Sequence, residues 1–281
     1  MQVEFTTLGA LPDEFYEMVK REFVPYSVGM CRIHENDAST FTALGTGVLV
    51  KKKGCVGILT ARHCLHACSP EVSVGYYGRD SLILLLGRGR DLTLPPAAFR
   101  EHLLTNPVCE EYGPHLTFLE IVSPGARSTI LAIGSAWPLD QDYKLILQEF
   151  GGLGTMLAFV GYPETAFRTT IKENNIDHHA EHLTIAGTIE KDGTQEIGGW
   201  DYVDGTCRYD TSPDLPESFR GISGGPIWAL QVRKNDFGVQ RSALVGICFY
   251  QTDVTENSRK LRGHFVNSIY ELAWRQFRPS C

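Results

Sequence analysis

From residue 26 to residue 121 the chain is broken into short runs of β-branched and aromatic residues, divided by Gly, Asn, Asp and Pro. Runs of that length suit strands, and turn-forming residues between them are the pattern of an antiparallel barrel. Strands are expected over 27–33, 41–51, 55–60, 72–77, 81–86 and 116–121. A second β-rich half follows. Met156-Leu157-Ala158-Phe159-Val160-Gly161-Tyr162-Pro163 reads as a buried strand ending in a turn, 182–189 with 201–209 as a hairpin, and 227–232 with 242–251 as strands about a polar turn.

Residues 122–145 read as a crossing segment, with Ser123-Pro124-Gly125 as punctuation. Helical spacing appears near both ends. Leu11, Phe15, Met18, Val19 and Phe23 recur on one face of a helix expected over 11–23, which should pack outside a barrel. Asn267 is expected to cap a closing helix over 268–277 that buries Ile269, Leu272, Ala273 and Phe277. The fold class expected is all-β, with an N-terminal helical extension over 1–25, a first β unit over 26–130 and a second over 131–281.

With 281 residues, 43% hydrophobic and 21% charged, the chain can bury one large core or two smaller ones. No apolar run approaches the ~18 residues that span a bilayer, so no membrane partner is expected. Met1-Gln2-Val3-Glu4-Phe5 lacks a basic and then apolar export pattern, which predicts a cytoplasmic location. The net charge of −7 argues against nucleic acid as a partner. Lys51-Lys52-Lys53 reads as a solvated hairpin tip. The eight cysteines are expected as thiols, given the absence of that export pattern. Cys64 and Cys68 lie near His63 and His66, but no second ligand pair follows at finger spacing. The run Asp177-His178-His179-Ala180-Glu181-His182 has no ligand-bearing helix, so neither metal nor organic cofactor is expected.

Chemistry concentrates in Phe219-Arg220-Gly221-Ile222-Ser223-Gly224-Gly225-Pro226-Ile227, a serine wedged among three glycines. Such a backbone can approach a ligand closely and aim the amides of Gly221 and Ser223 at one developing oxyanion. The other motif, Leu59-Thr60-Ala61-Arg62-His63-Cys64, carries a histidine in a turn after a strand. Taken with Gly45-Thr46-Gly47-Val48-Leu49, and with His before Ser in chain order, these motifs resemble the chymotrypsin/trypsin-like serine peptidases over roughly residues 27–277.

The resemblance implies two six-stranded antiparallel barrels with the active site in the cleft between them, Ser223 as nucleophile and His63 as general base. It also exposes a departure. His115, in Gly113-Pro114-His115-Leu116-Thr117-Phe118-Leu119, stands where that family has the aspartate that orients the base. An imidazole there can hold the His63 tautomer but supplies no negative charge; a neutral replacement in the template enzyme cost about 10⁴-fold in rate. Asp91 is the rival carboxylate, ranked lower because Pro95-Pro96 interrupts the strand that should follow it.

The resemblance further assigns Glu217 to the base of a specificity pocket and Phe249-Tyr250-Gln251 to a strand edge that pairs with substrate backbone, with an exposed loop and a packed core as the respective alternatives. Ile222 replaces the aspartate that a new N-terminus would pair with, so activation by terminus insertion is not expected. The function implied is a serine endopeptidase acting on proteins or peptides; an active protease in the cytosol needs restraint, for which a regulatory protein partner or a fusion context is expected. A catalytically silent peptide-binding module is the alternative.

Overall fold

The computed structural model describes residues 12–34, 37–66, 81–87, 90–104, 116–152, 155–172, 175–208, 219–233, 238–252 and 258–279. The chain enters through helix α1 (Asp13–Phe23) and then lays down β1 (Ser27–His34), β2 (Asp37–Lys52) and β3 (Cys55–Ala61) as consecutive antiparallel neighbours. A short helix α2 (Arg62–His66) follows at once. Next come β4 (Ser81–Leu86), β5 (Arg90–Leu94), β6 (Phe99–Leu103), β7 (Leu116–Ile121) and the two-residue β8 (Trp137–Pro138).

These eight strands form one sheet in the order β5-β4-β1-β2-β3-β7-β6, with β8 beside β2. Among the described residues β5 and β6 are its free ends; the strand expected over 72–77 lies outside them. Residues 90–94 pair with β4 despite the prolines that follow, since Pro95 and Pro96 fall after the last pairing.

The second half is β9 (Met156–Gly161), the hairpin β10 (Phe167–Lys172) and β11 (Asn175–Ala180), then β12 (Leu183–Ile197), β13 (Trp200–Arg208), β14 (Pro226–Val232), β15 (Val239–Gln251) and β16 (Ser258–His264). Six of them close a barrel in the order β12-β13-β16-β15-β14-β9. Closure removes the unpaired edges that an open sheet leaves. Strand β9 is buried along its whole length, as its unbroken apolar run requires.

Helix α1 covers the barrel with Phe15, Val19 and Phe23, each at most 1% exposed. The Phe23 ring stacks on Trp228 of β14 at 4.5 Å, and burying one such side chain stabilises by roughly 1.5–3 kcal/mol.

The crossing segment is helical rather than irregular. Helix α3 (Pro124–Ile133) begins at Ser123, whose hydroxyl accepts from the Ala126 amide at 3.4 Å, with Pro124 at the first helical position. Helix α4 (Tyr143–Phe150) is capped by Asp142, which accepts from the Lys144 amide at 3.0 Å. Both starts follow the capping rule, so Ser-Pro marked an entry and not a break.

The closing helix is shorter than expected. Helix α5 (Val266–Tyr270) is followed by a 3₁₀ turn over Leu272–Trp274. Its first amides are satisfied from β13, not by Asn267: the Asp201 carboxylate accepts from the Asn267 and Ser268 amides at 2.9 and 2.5 Å. The lysine run is likewise more than a solvated tip. Lys52 Nζ donates to the carbonyls of Leu139 and Tyr270 at 2.6 and 2.9 Å, while the Lys53 amide donates to Asp140. The β2–β3 turn thereby ties the α3–α4 connection to the C-terminal helix.

Candidate active site

Strand β14 begins at Pro226, and the glycine loop that precedes it folds back against the first sheet. The loop is strapped there by Thr46 of β2, which is wholly buried. Its hydroxyl donates to the Gly221 carbonyl at 2.7 Å and accepts from the Tyr162 amide at 2.9 Å. The Thr46 amide donates to the Ser223 carbonyl at 2.9 Å, and the Cys64 thiol does so at 3.0 Å. Residue 64 is the neighbour of His63 on α2, so the two motifs meet across the halves of the molecule. Neither Thr46 nor Cys64 received a structural role from the sequence, although Gly45-Thr46-Gly47 was visible as a motif.

Two glycines are demanded by this geometry. Gly221 (φ +93°) lies so close to the next segment that a Cβ would stand 2.5 Å from the Glu164 nitrogen and 2.6 Å from the Tyr162 carbonyl oxygen. Gly224 (φ +83°) leaves no room for a Cβ against Thr60 Oγ1 and the Thr46 carbonyl. Both φ values lie where side chains are rarely tolerated.

The amides of the loop divide into two sets. Those of Ile222, Gly224 and Gly225 donate to the carbonyls of Phe219, Cys248 and Ile222 at 3.0, 2.7 and 2.8 Å. Those of Gly221 and Ser223 donate to no partner among the described residues.

Ser223 Oγ donates to the Phe249 carbonyl at 3.4 Å, and among the described residues no hydrogen bond joins it to His63. His63 lies on α2, two residues beyond Ala61, the last residue of β3, which pairs with Leu116 of β7. Burial holds its imidazole below the ordinary histidine value, so it is neutral near pH 7. His115 and Glu217 lie outside the described residues. Asp91 is exposed on β5, a free end of the sheet and four strands from β3 in the strand order.

Of the proposed substrate edge, Phe249 is core: it is 4% exposed and packs against Tyr202 and His264. Its alternation with Tyr250 decides this, since successive side chains point to opposite faces. Tyr250 is exposed at 42%. Gln251 is structural, its Oε1 accepting from the Phe219 amide at 2.9 Å and from Arg259 at 3.1 Å. The backbone of 249–251 pairs with β16 on one side only; on the other, among the described residues, no strand continues past Gly224 and Gly225.

The thiols beside the site are inert by environment. Burial pushes Cys64 and Cys207 up to about 12, and Cys248 higher still.

No model of a known protein family matches this sequence, and no curated protein matches it.

Proposed function

We propose that this chain is a chymotrypsin/trypsin-like serine endopeptidase, with the first sheet and the closed barrel as counterparts of the two barrels of that fold and the catalytic cleft between them. The observation that carries the reading is the pair of amides, Gly221 and Ser223, that have no partner among the described residues, in a loop whose amides at 222, 224 and 225 are all bonded. An oxyanion hole needs two such donors held in place before the reaction. Here the Thr46 straps and the two positive-φ glycines supply that rigidity.

In the mechanism, Ser223 Oγ turns from the Phe249 carbonyl, gives its proton to neutral His63 and attacks the substrate carbonyl carbon. The carbonyl oxygen takes up the electron pair and is held by the two amides. His63 then passes the proton to the leaving amine as the acyl-enzyme forms, and water repeats the sequence to release the acid. His115 orients His63 in place of a carboxylate. The free edge of 249–251 pairs with the substrate backbone, as an extended peptide adds to an open strand.

A second reading, a silent peptide-binding module, is favoured by the bond from Ser223 Oγ to the Phe249 carbonyl, which engages the hydroxyl proton elsewhere than on His63. Hydrolysis of a quenched fluorescent peptide library separates the two. The endopeptidase reading expects turnover that vanishes in Ser223→Ala and His63→Ala, falls in His115→Ala and persists in Asp91→Ala. Turnover untouched in Ser223→Ala excludes it, and Asp91→Ala abolishing turnover while His115→Ala spares it removes His115 from its role.

A further inference from the structure

The glycine loop and the strand end at 249–251 are tied together at two places. Near the nucleophile, the Gly224 amide donates to the Cys248 carbonyl at 2.7 Å and Ser223 Oγ donates to the Phe249 carbonyl at 3.4 Å. Further along, the Gln251 side chain crosses from the strand to the loop, where its Oε1 accepts from the Phe219 amide at 2.9 Å. The same oxygen accepts from the Arg259 guanidinium at 3.1 Å, and that group lies over the Phe219 ring, 5.7 Å from its centroid. The backbone of 219–223 and of 249–251 thus bounds a short frame, closed at one end by Ser223 and at the other by Gln251.

On the peptidase reading, which this assignment requires, the frame receives a substrate side chain. Ser223 Oγ reaches the Phe249 carbonyl, so the acyl residue, whose carbonyl is attacked, lies opposite Phe249 when the substrate pairs with the free strand edge. Residues opposite one another on paired strands share a face, and Phe249 shares its face with Gln251 while Tyr250 takes the other. That face is turned to the loop, as the bond from Phe219 to Gln251 shows. The acyl side chain therefore enters the frame.

We propose that Gln251 is a specificity-determining residue, a bar that restricts the acyl residue to Gly, Ala or Ser. A longer side chain must displace the Gln251 amide group, which takes the acceptor from the Phe219 amide and from Arg259 at once. Phe219 is 3% exposed, so water does not readily replace that acceptor.

The test is cleavage, by the whole protein, of a peptide library varied only at the acyl residue, in parallel with fluorophosphonate labelling of Ser223, which needs no side chain in the frame. Cleavage after Gly, Ala or Ser is expected to exceed cleavage after Leu or Phe by about tenfold or more in kcat/KM, the scale on which the shape of a pocket discriminates. Gln251→Gly should raise cleavage after Leu and Phe by about tenfold relative to Ala, whereas Gln251→Glu, which keeps an acceptor at the same reach, should retain the parent's preference. The parent's own preference decides the matter even where Gln251→Gly fails to fold. Equal cleavage after Leu, Phe and Ala by the parent, a preference unchanged in folded Gln251→Gly, or a labelled Ser223 with no cleavage after small residues would overturn the role of Gln251 and leave the peptidase reading standing. Protein that neither cleaves nor labels overturns both.

Discussion

Thr46 is the residue on which the proposed site turns, because one hydroxyl serves two partners in different segments, Gly221 and Tyr162. Replacing it by valine keeps the shape and removes both bonds. Thr46→Val is therefore expected to cost about 1–3 kcal/mol, the penalty for stranding buried polar groups. It should also slow acylation of Ser223 more than it lowers the melting temperature would explain, a split seen by comparing labelling rates well below that temperature. A variant as stable and as fast as the parent would show that the strap is not needed. Ser223 and His63 stand out in the sequence as candidates because glycine and turn chemistry surround them. Thr46 was not, since a threonine in a strand is ordinary until its partners 116 and 175 residues away are known.

At the scale of elements, the strands were read well where apolar runs were short and bounded, as in β3, β4, β7 and β9. The misses have physical causes. Helix α3 was hidden because Ser-Pro-Gly serves equally as a turn and as a cap with proline behind it. Strands β6 and β16 were hidden by their charge, for His102 and Glu101 on one, and Arg259, Lys260 and Arg262 on the other, read as polar surface. Much of that charge is partnered: the Arg262 guanidinium donates two hydrogen bonds to the carboxylate of Asp204 on β13, at 2.7 and 2.8 Å. On β6, His102 Nε2 lies 2.8 Å from a Glu120 oxygen on β7, and Glu120 is 1% exposed. His102→Ala should thus destabilise by about 1.5–3 kcal/mol, the range for a hydrogen bond to a charged group. Urea unfolding checks this, and an unchanged midpoint would mean that the pair contributes nothing net.

For the molecule as a whole, the two halves are joined through polar straps at Thr46 and Cys64 and through the apolar face of α1, while acid finds its weak points in buried imidazoles. Burial depresses both His63 and His182, the latter to about 3 from an ordinary 6.5. The unfolded chain therefore binds protons at these positions from about pH 6.5 downward while the folded chain does not. Stability is fully present above that pH and is lost as the pH falls towards 3. Urea midpoints measured across this range in chloride buffer should decline, and His182→Phe should flatten part of the decline. An identical pH profile in that variant would contradict the assignment.

The central claim is an activated serine at 223, and covalent labelling by a fluorophosphonate, with the modified residue located by mass spectrometry, tests it most directly. The account predicts one adduct, on Ser223, absent in Ser223→Ala, strongly reduced in His63→Ala and weakened in His115→Ala. Its rate should rise with pH through a midpoint below 6.5, the ordinary histidine value from which burial depresses His63. Folded protein that forms no adduct at any pH, or forms one equally well without His63, would contradict it and leave the cleft as a binding surface.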